Sequence, residues 1–180
     1  MHMQTSKRLI QVLAAALLSV AVPALAEAPA GLEKYDGEYK YANTREHGVA
    51  IVEKALDAAL ADLNMVMKLL VKKSMSGRFA ETVSIDVDGS EVGIKIGDND
   101  KATARIGKTE TVKSKDGKQS GKLTHQFDGG KLTETLTGEN GTIVNVLQLS
   151  ADGKTLSRDV TVTSPRMKKP LKYKLVYNRK

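Results

Sequence analysis

Four polar residues in the C-terminal half interrupt an otherwise apolar pattern. His125 sits between Leu123 and Phe127, Glu134 between Leu132 and Leu136, Asn145 between Ile143 and Leu147, and Arg158 between Leu156 and Val160. A fifth, Glu81, sits between Phe79 and Val83. Alternate residues of a β-strand share a face, so parity sends all five inward with their apolar neighbours. The turns predict how they meet. A Gly129-Gly130 turn puts Phe127 opposite Leu132, and therefore His125 opposite Glu134. A Glu139-Asn140 turn puts Glu134 opposite Asn145. An Asp152-Gly153 turn puts Leu147 opposite Arg158, which leaves Asn145 diagonal to Arg158. Opposed side chains approach to ~5 Å and diagonal ones to ~7 Å. Tyr173 and Tyr177 share the inward parity of the neighbouring last strand.

Three chemistries are open to this group. An acid, an amide, a histidine and an arginine can satisfy one another as a buried network. A few convergent polar groups in an apolar interior also describe a small-molecule pocket. There Arg158 would hold an anionic head group, for its guanidinium keeps its charge and needs an anion or many acceptors. His125, Glu134, Asn145, Tyr173, Tyr177 and Phe127 complete the candidate ligand site. The third option is acid–base catalysis by His125 and Glu134. No nucleophile, metal-ligand cluster or phosphate loop accompanies them, so the expectation is a binding protein without cofactor or metal rather than an enzyme. Of the other histidines, His47 falls near a helix start and is expected at the surface.

The elements that must position these residues are short strands. Residues 79–178 read as nine of them, joined at Asp88-Gly89, Asp116-Gly117, Gly129-Gly130, Glu139-Asn140-Gly141 and Asp152-Gly153. Asp-Gly and Gly-Gly favour the positive φ of tight hairpins. Nine strands in an up-and-down meander leave two exposed edges unless the sheet closes, so a barrel is expected. An Asp88-Gly89 turn would set Ile85 opposite Val92 and Val83 opposite Ile94. Tyr35, Tyr39 and Tyr41 alternate with polar residues and predict a further strand ahead of the meander. The fold class is therefore mainly β, an antiparallel barrel of eight to ten strands.

Between the first and second strands the period changes. Val49, Val52, Leu56, Ala59, Leu63, Val66 and Leu70 recur every three or four residues, a helical stripe over about 44–74. Asn43, with Glu46 three residues on, offers a capping box. One straight helix from Thr44 to Lys73 would run about 45 Å, longer than strands of roughly 20–30 Å. A bend near Leu63-Asn64 fits a barrel better, whereas the unbroken stripe argues for continuity. Either way the segment is expected to cap one end through Val52, Leu56, Leu63, Val66 and Leu70, and to stop at Ser76-Gly77.

A short aromatic strand, a helical segment and a closing nine-strand meander resemble the calycins. The layout is most similar to the fatty-acid-binding-protein-like barrels and more loosely to the lipocalins. Tyr35-x-Gly37-x-Tyr39 is similar to the first-strand aromatic and Gly-x-Trp of those families, with tyrosine in place of tryptophan. The resemblance implies a cup for an apolar or amphipathic small molecule, with the helices over its mouth.

Composition narrows the context. Lys7 and Arg8, the apolar run Leu9 to Leu25 and Ala24-Leu25-Ala26 have the layout of a secretory signal peptide cleaved after Ala26. The expected organisation is a signal at 1–26 and one domain at 27–180, periplasmic or secreted. Removing Lys7 and Arg8 lowers the formal charge by two from +7. The chain has no cysteine, so it forms no disulfide and no thiolate metal site. It has no tryptophan and few other aromatics, which argues against base-stacking recognition of nucleic acid. From Arg166 to Lys180 there are seven basic residues and no acid. They are either a solvated strand face that guards a sheet edge, or a surface for anionic envelope lipid. Three functions stay open: an exported carrier of an amphipathic, anionic molecule, an envelope interaction module with a filled core, and a cofactor-free barrel enzyme.

Overall fold

The computed structural model describes residues 28–75, 79–113 and 120–180. The leader at 1–26, the helix stop at Ser76-Gly77 and most of the loop from Lys113 to Lys122 lie outside them. The elements are β1 (Gly37–Tyr41), α1 (Arg45–Ala59), α2 (Met65–Met75), β2 (Thr82–Asp88), β3 (Glu91–Ile96), β4 (Ala102–Arg105), β5 (Thr109–Lys113), β6 (Ser120–Asp128), β7 (Lys131–Gly138), β8 (Gly141–Leu149), β9 (Thr155–Thr163) and β10 (Leu171–Arg179). The strands form one ten-stranded antiparallel sheet in the order β4-β3-β2-β1-β10-β9-β8-β7-β6-β5. β10 pairs with β1, setting Tyr39 opposite Arg179 and Tyr41 opposite Tyr177, so the two ends of the described chain meet in the wall.

The barrel is nearly closed. Its edges, β4 and β5, face each other with no ladder between them among the described residues. Beyond β4 the chain is stitched to β6 instead, where the Gly107 amide donates to the His125 carbonyl at 2.8 Å. An open groove of about 650 Å³ lies at this seam, lined by Glu91, Arg105, Lys108, Glu110 and Val112 among others.

The hairpin registers of β6 to β9 follow the turn chemistry. Phe127 is opposite Leu132, His125 opposite Glu134, Glu134 opposite Asn145 and Leu147 opposite Arg158. The β2–β3 hairpin departs from expectation by one full period. Asp88 pairs with Glu91, so Gly89-Ser90 forms the turn, and Ile85 faces Ile94 while Val83 faces Ile96. Gly89 at φ +57 takes the first turn position. A slip of two residues keeps every side chain on its own face, which is why the apolar pattern could not distinguish the registers.

The helical region is bent. α1 ends at Ala59 with Leu60 as its C-cap, α2 starts at Met65, and the Lys68 amide donates to the Asn64 carbonyl. Thr44, rather than Asn43, is the N-cap, its hydroxyl accepting from the His47 amide at 3.3 Å. Val52, Leu56 and Ala59 are buried as the stripe requires, Leu56 alone contributing about 2 kcal/mol. Past the bend the stripe holds only in part. Leu63 is half-buried against the core, Val66 is exposed, as are Met65 and Leu69 beside it, and the side chain of Leu70 lies outside the described residues. The bend re-aims the second helix, so positions continuous in sequence are not continuous in space.

Tyr35 does not extend the first strand. It ends a 3₁₀ turn, Leu32–Tyr35, entered through Gly31 at φ +91. The turn precedes β1 and the helices follow it, so the two plug opposite ends of the barrel. The Tyr35 hydroxyl donates to the Gly130 carbonyl at 2.6 Å and accepts from the Leu149 amide at 3.3 Å, tying that plug to β7 and β8. Arg179 holds the same end. Its guanidinium donates to the carbonyls of Lys34, Asp36 and Gly153 and to the Tyr39 hydroxyl, and lies 5.1 Å from the Tyr39 ring centre.

Candidate functional site

Four strands deliver four polar side chains to the interior. Among the described residues, His125, Glu134, Asn145 and Arg158 are the buried polar and charged side chains other than tyrosine. They form one connected chain. His125 Nε2 lies 3.3 Å from Glu134 Oε2, Asn145 Nδ2 donates to Glu134 Oε1 at 2.7 Å, and Arg158 Nε donates to Asn145 Oδ1 at 3.0 Å. The chemistry of the neighbours fixes the amide. A carboxylate can only accept and a guanidinium can only donate, so Asn145 turns its NH₂ to Glu134 and its oxygen to Arg158. Asn145 thus stands between the acid and the base, which make no direct ion pair.

Each end of this chain carries an unmatched atom. His125 Nδ1 and Arg158 Nη1 are buried and have no hydrogen-bond partner. With Nε2 donating to Glu134, Nδ1 is left as an acceptor. Arg158 Nη1 is a cationic donor in an apolar interior, the atom most in need of an anion.

The rest of the predicted site divides. Tyr177 is fully buried and close to Arg158. Burial pushes its phenol up, and the guanidinium opposes that shift. Its proton is already committed to the Ala80 carbonyl at 3.0 Å. Tyr173 is buried on β10 opposite Val160. Phe127 lies toward the 3₁₀ plug, its ring edge-to-face with Tyr35 at 5.8 Å. Glu81 is not in the interior. It precedes β2, is exposed, and pairs with Arg45 at 3.1 Å. The strand parity assumed for it begins one residue too late. His47 is exposed, as expected, and its Nδ1 lies 3.0 Å from the Tyr41 hydroxyl.

The interior around this chain is packed. Leu123, Leu132, Leu147, Leu156, Leu171 and Leu175 are wholly shielded, as are Tyr39 and Tyr177. No group of three or more histidine and carboxylate side chains among the described residues could hold a metal ion. No helix among them is long and apolar enough to cross a membrane.

Sequence reasoning missed two contributors, Tyr35 as a plug and Arg179 as a staple. The basic tail presents a solvated strand face, as expected, but guards no edge, since β1 and β9 flank β10. Lys174 pairs with Asp159 at 3.1 Å, Lys180 with Glu38 at 2.9 Å and Lys169 with Asp62 at 3.0 Å, so neighbouring acids offset part of the charge run.

No protein-family model matches the sequence, and comparison with curated proteins finds no match. Solved structures do match the fold. An SAHS protein of Ramazzottius varieornatus superposes with a TM-score of 0.54 at 15% identity, over 82% of this chain and 96% of that one. Lipid binding protein 8 of Caenorhabditis elegans gives 0.52 at 13% identity, over 83% and 97%. Fatty-acid-binding protein 1 of Echinococcus granulosus gives 0.52 at 11% identity, over 82% and 98%. The fold is calycin-like. At these identities the likeness concerns the barrel and its helical insertion, and residue roles do not carry across.

Proposed function

We propose that this protein binds an amphipathic, anionic small molecule inside its barrel, with Arg158 as the head-group anchor. The observation that carries the reading is the buried, unpartnered Arg158 Nη1. A carboxylate or phosphate there would supply a charge-assisted hydrogen bond where the protein supplies none. The apolar side chains on either side, Phe79, Val83, Phe127 and Leu147, suit the tail. Because the interior is packed, entry requires side chains to yield and the wall to widen. The β4–β5 seam is where widening breaks no strand ladder. Solved proteins of this fold named as lipid-binding and fatty-acid-binding are consistent with such a role. The sequence also carries a leader suited to export, so we place the protein in the periplasm or outside the cell, cleaved after Ala26. Intact mass of protein from its native host tests that directly.

The test of the anchor is titration of a fluorescent fatty acid into wild type and Arg158→Ala, with melting curves in parallel. The variant should lose roughly 1.5–3 kcal/mol of binding while remaining folded. Equal affinities would remove Arg158 from the role. A second reading, an envelope interaction module, is favoured by the shielded interior together with exposed Met65, Val66 and Leu69 on α2. Absence of any bound fatty acid in wild type would select it.

A further inference from the structure

We infer that anion binding at Arg158 is coupled to uptake of one proton by the His125–Glu134 pair, so that the barrel loads at lower pH and releases at higher pH. The inference rests on the anchor reading above and concerns the regulation of that same site.

Charge in a shielded space must balance. Among the described residues, the interior holds one carboxylate, Glu134, and one guanidinium, Arg158. Asn145 links them without letting them touch. The other titratable groups facing in are His125 and the tyrosines. Tyr39, Tyr41 and Tyr177 are each shifted upward by burial, and Tyr35 at the plug is too, so they stay protonated and neutral. Tyr173, also a phenol, faces in from β10. α1 presents Val52, Leu56 and Ala59, and β2 and β3 present Val83, Ile85, Val92 and Ile94, none of which titrates. With His125 neutral, the interior sums to zero.

A ligand anion on Arg158 Nη1 changes that sum to one uncompensated negative charge. Glu134 is then left without its counter-charge, held only by Asn145 and His125. Buried charge without a partner is strongly disfavoured, and the interior has one place where a proton answers it. His125 Nε2 is 3.3 Å from Glu134 Oε2, and a proton entering the pair makes its charge zero whichever atom carries it. The reaction balances as protein, anion and one solvent proton giving a neutral-interior complex, with no bond broken and no electron moved. Asn145 makes the coupling possible. Were Glu134 in direct contact with Arg158, the anion would have to displace it. With the amide between them, Nη1 remains open to the ligand while Glu134 still reports its arrival electrostatically.

The probe should keep its own charge at every pH, so anilinonaphthalene sulfonate suits better than a carboxylate. Its affinity for the full mature chain is measured by fluorescence from pH 6 to 8.5. Its binding heat is measured at one pH in phosphate and in Tris, buffers of very different ionisation enthalpy. We expect the affinity to fall toward tenfold per pH unit as pH rises, and the heats to differ by close to one proton's worth of buffer ionisation. Glu134→Gln should bind the probe with both effects lost, because the counter-charge that demanded the proton is gone. His125→Gln leaves Glu134 as the only proton acceptor and should move the pH range over which affinity falls, whereas retention of the full slope and of the buffer difference in Glu134→Gln would overturn the assignment to this pair. The wild-type buffer comparison needs no variant to fold. Measurable binding with equal heats in both buffers overturns the coupling and leaves the anchor standing. No binding at any pH overturns both.

Discussion

The strongest stability prediction concerns the two charges bridged by Asn145. Through the amide, Glu134 Oε1 and Arg158 Nε are joined by contacts of 2.7 and 3.0 Å, so they are at most about 8 Å apart. At an effective dielectric of about 20 their attraction is then at least about 2 kcal/mol. Glu134→Gln keeps the hydrogen bond from Asn145, and keeps one to His125 with the imidazole in its other tautomer, but strands the guanidinium. Arg158→Met fills similar space but strands the carboxylate and leaves the Asn145 oxygen unmet. Each single variant should lose about 3 kcal/mol, the usual cost of leaving one buried charge alone. The double variant leaves neither, and should lose less than the two singles together by about 2 kcal/mol. Urea unfolding of the four proteins at pH 7, at constant m, measures this cycle. Losses that add to within about 0.5 kcal/mol would refute it, and would mean the two charges do not feel each other through the amide.

Two further outcomes follow from packing and burial. A Cβ on Gly48 would lie 2.0 Å from the Phe79 ring, so Gly48→Ala should destabilise the helical cap even though alanine is favoured over glycine in helices by about 1 kcal/mol. Thermal melts reporting a stabilised variant would show that Phe79 moves aside freely. The buried phenols give an alkaline limit. Tyr35, Tyr39 and Tyr177 are all held above their ordinary value near 10, chiefly by burial. Stability from them is present below pH 10 and declines as pH rises, because the unfolded chain ionises first and releases protons the folded chain retains. Phenolate absorbance should therefore appear together with unfolding, and a smooth titration in a still-folded protein would contradict it.

The sequence alone determined a good deal of this molecule. Hairpins are local: strict alternation sets facing, and in the hairpins from β6 to β9 the turn dipeptides set register as well. The row His125, Glu134, Asn145 and Arg158 was therefore legible, since each link crosses one short turn. So was the change from period two to a helical period between β1 and β2. Tertiary structure decided what local pattern cannot encode. The β2–β3 register slipped by two residues, a shift that preserves facing and so leaves no trace in the alternation. Val66 lies on the same stripe as Leu56 yet is exposed, because a bend at Leu60–Asn64 changes the direction of the helix and not its period. Arg179 reads as one more basic residue in a charged tail. It becomes a staple only when β10 is brought beside β1, some 140 residues earlier, and the carbonyls of Lys34, Asp36 and Gly153 converge on it. The same long-range closure makes β10 an interior strand rather than an edge, and moves the sheet's free edges to β4 and β5. Sequence could propose which side chains share a face. Only the closed barrel decided which polar atoms were left without partners.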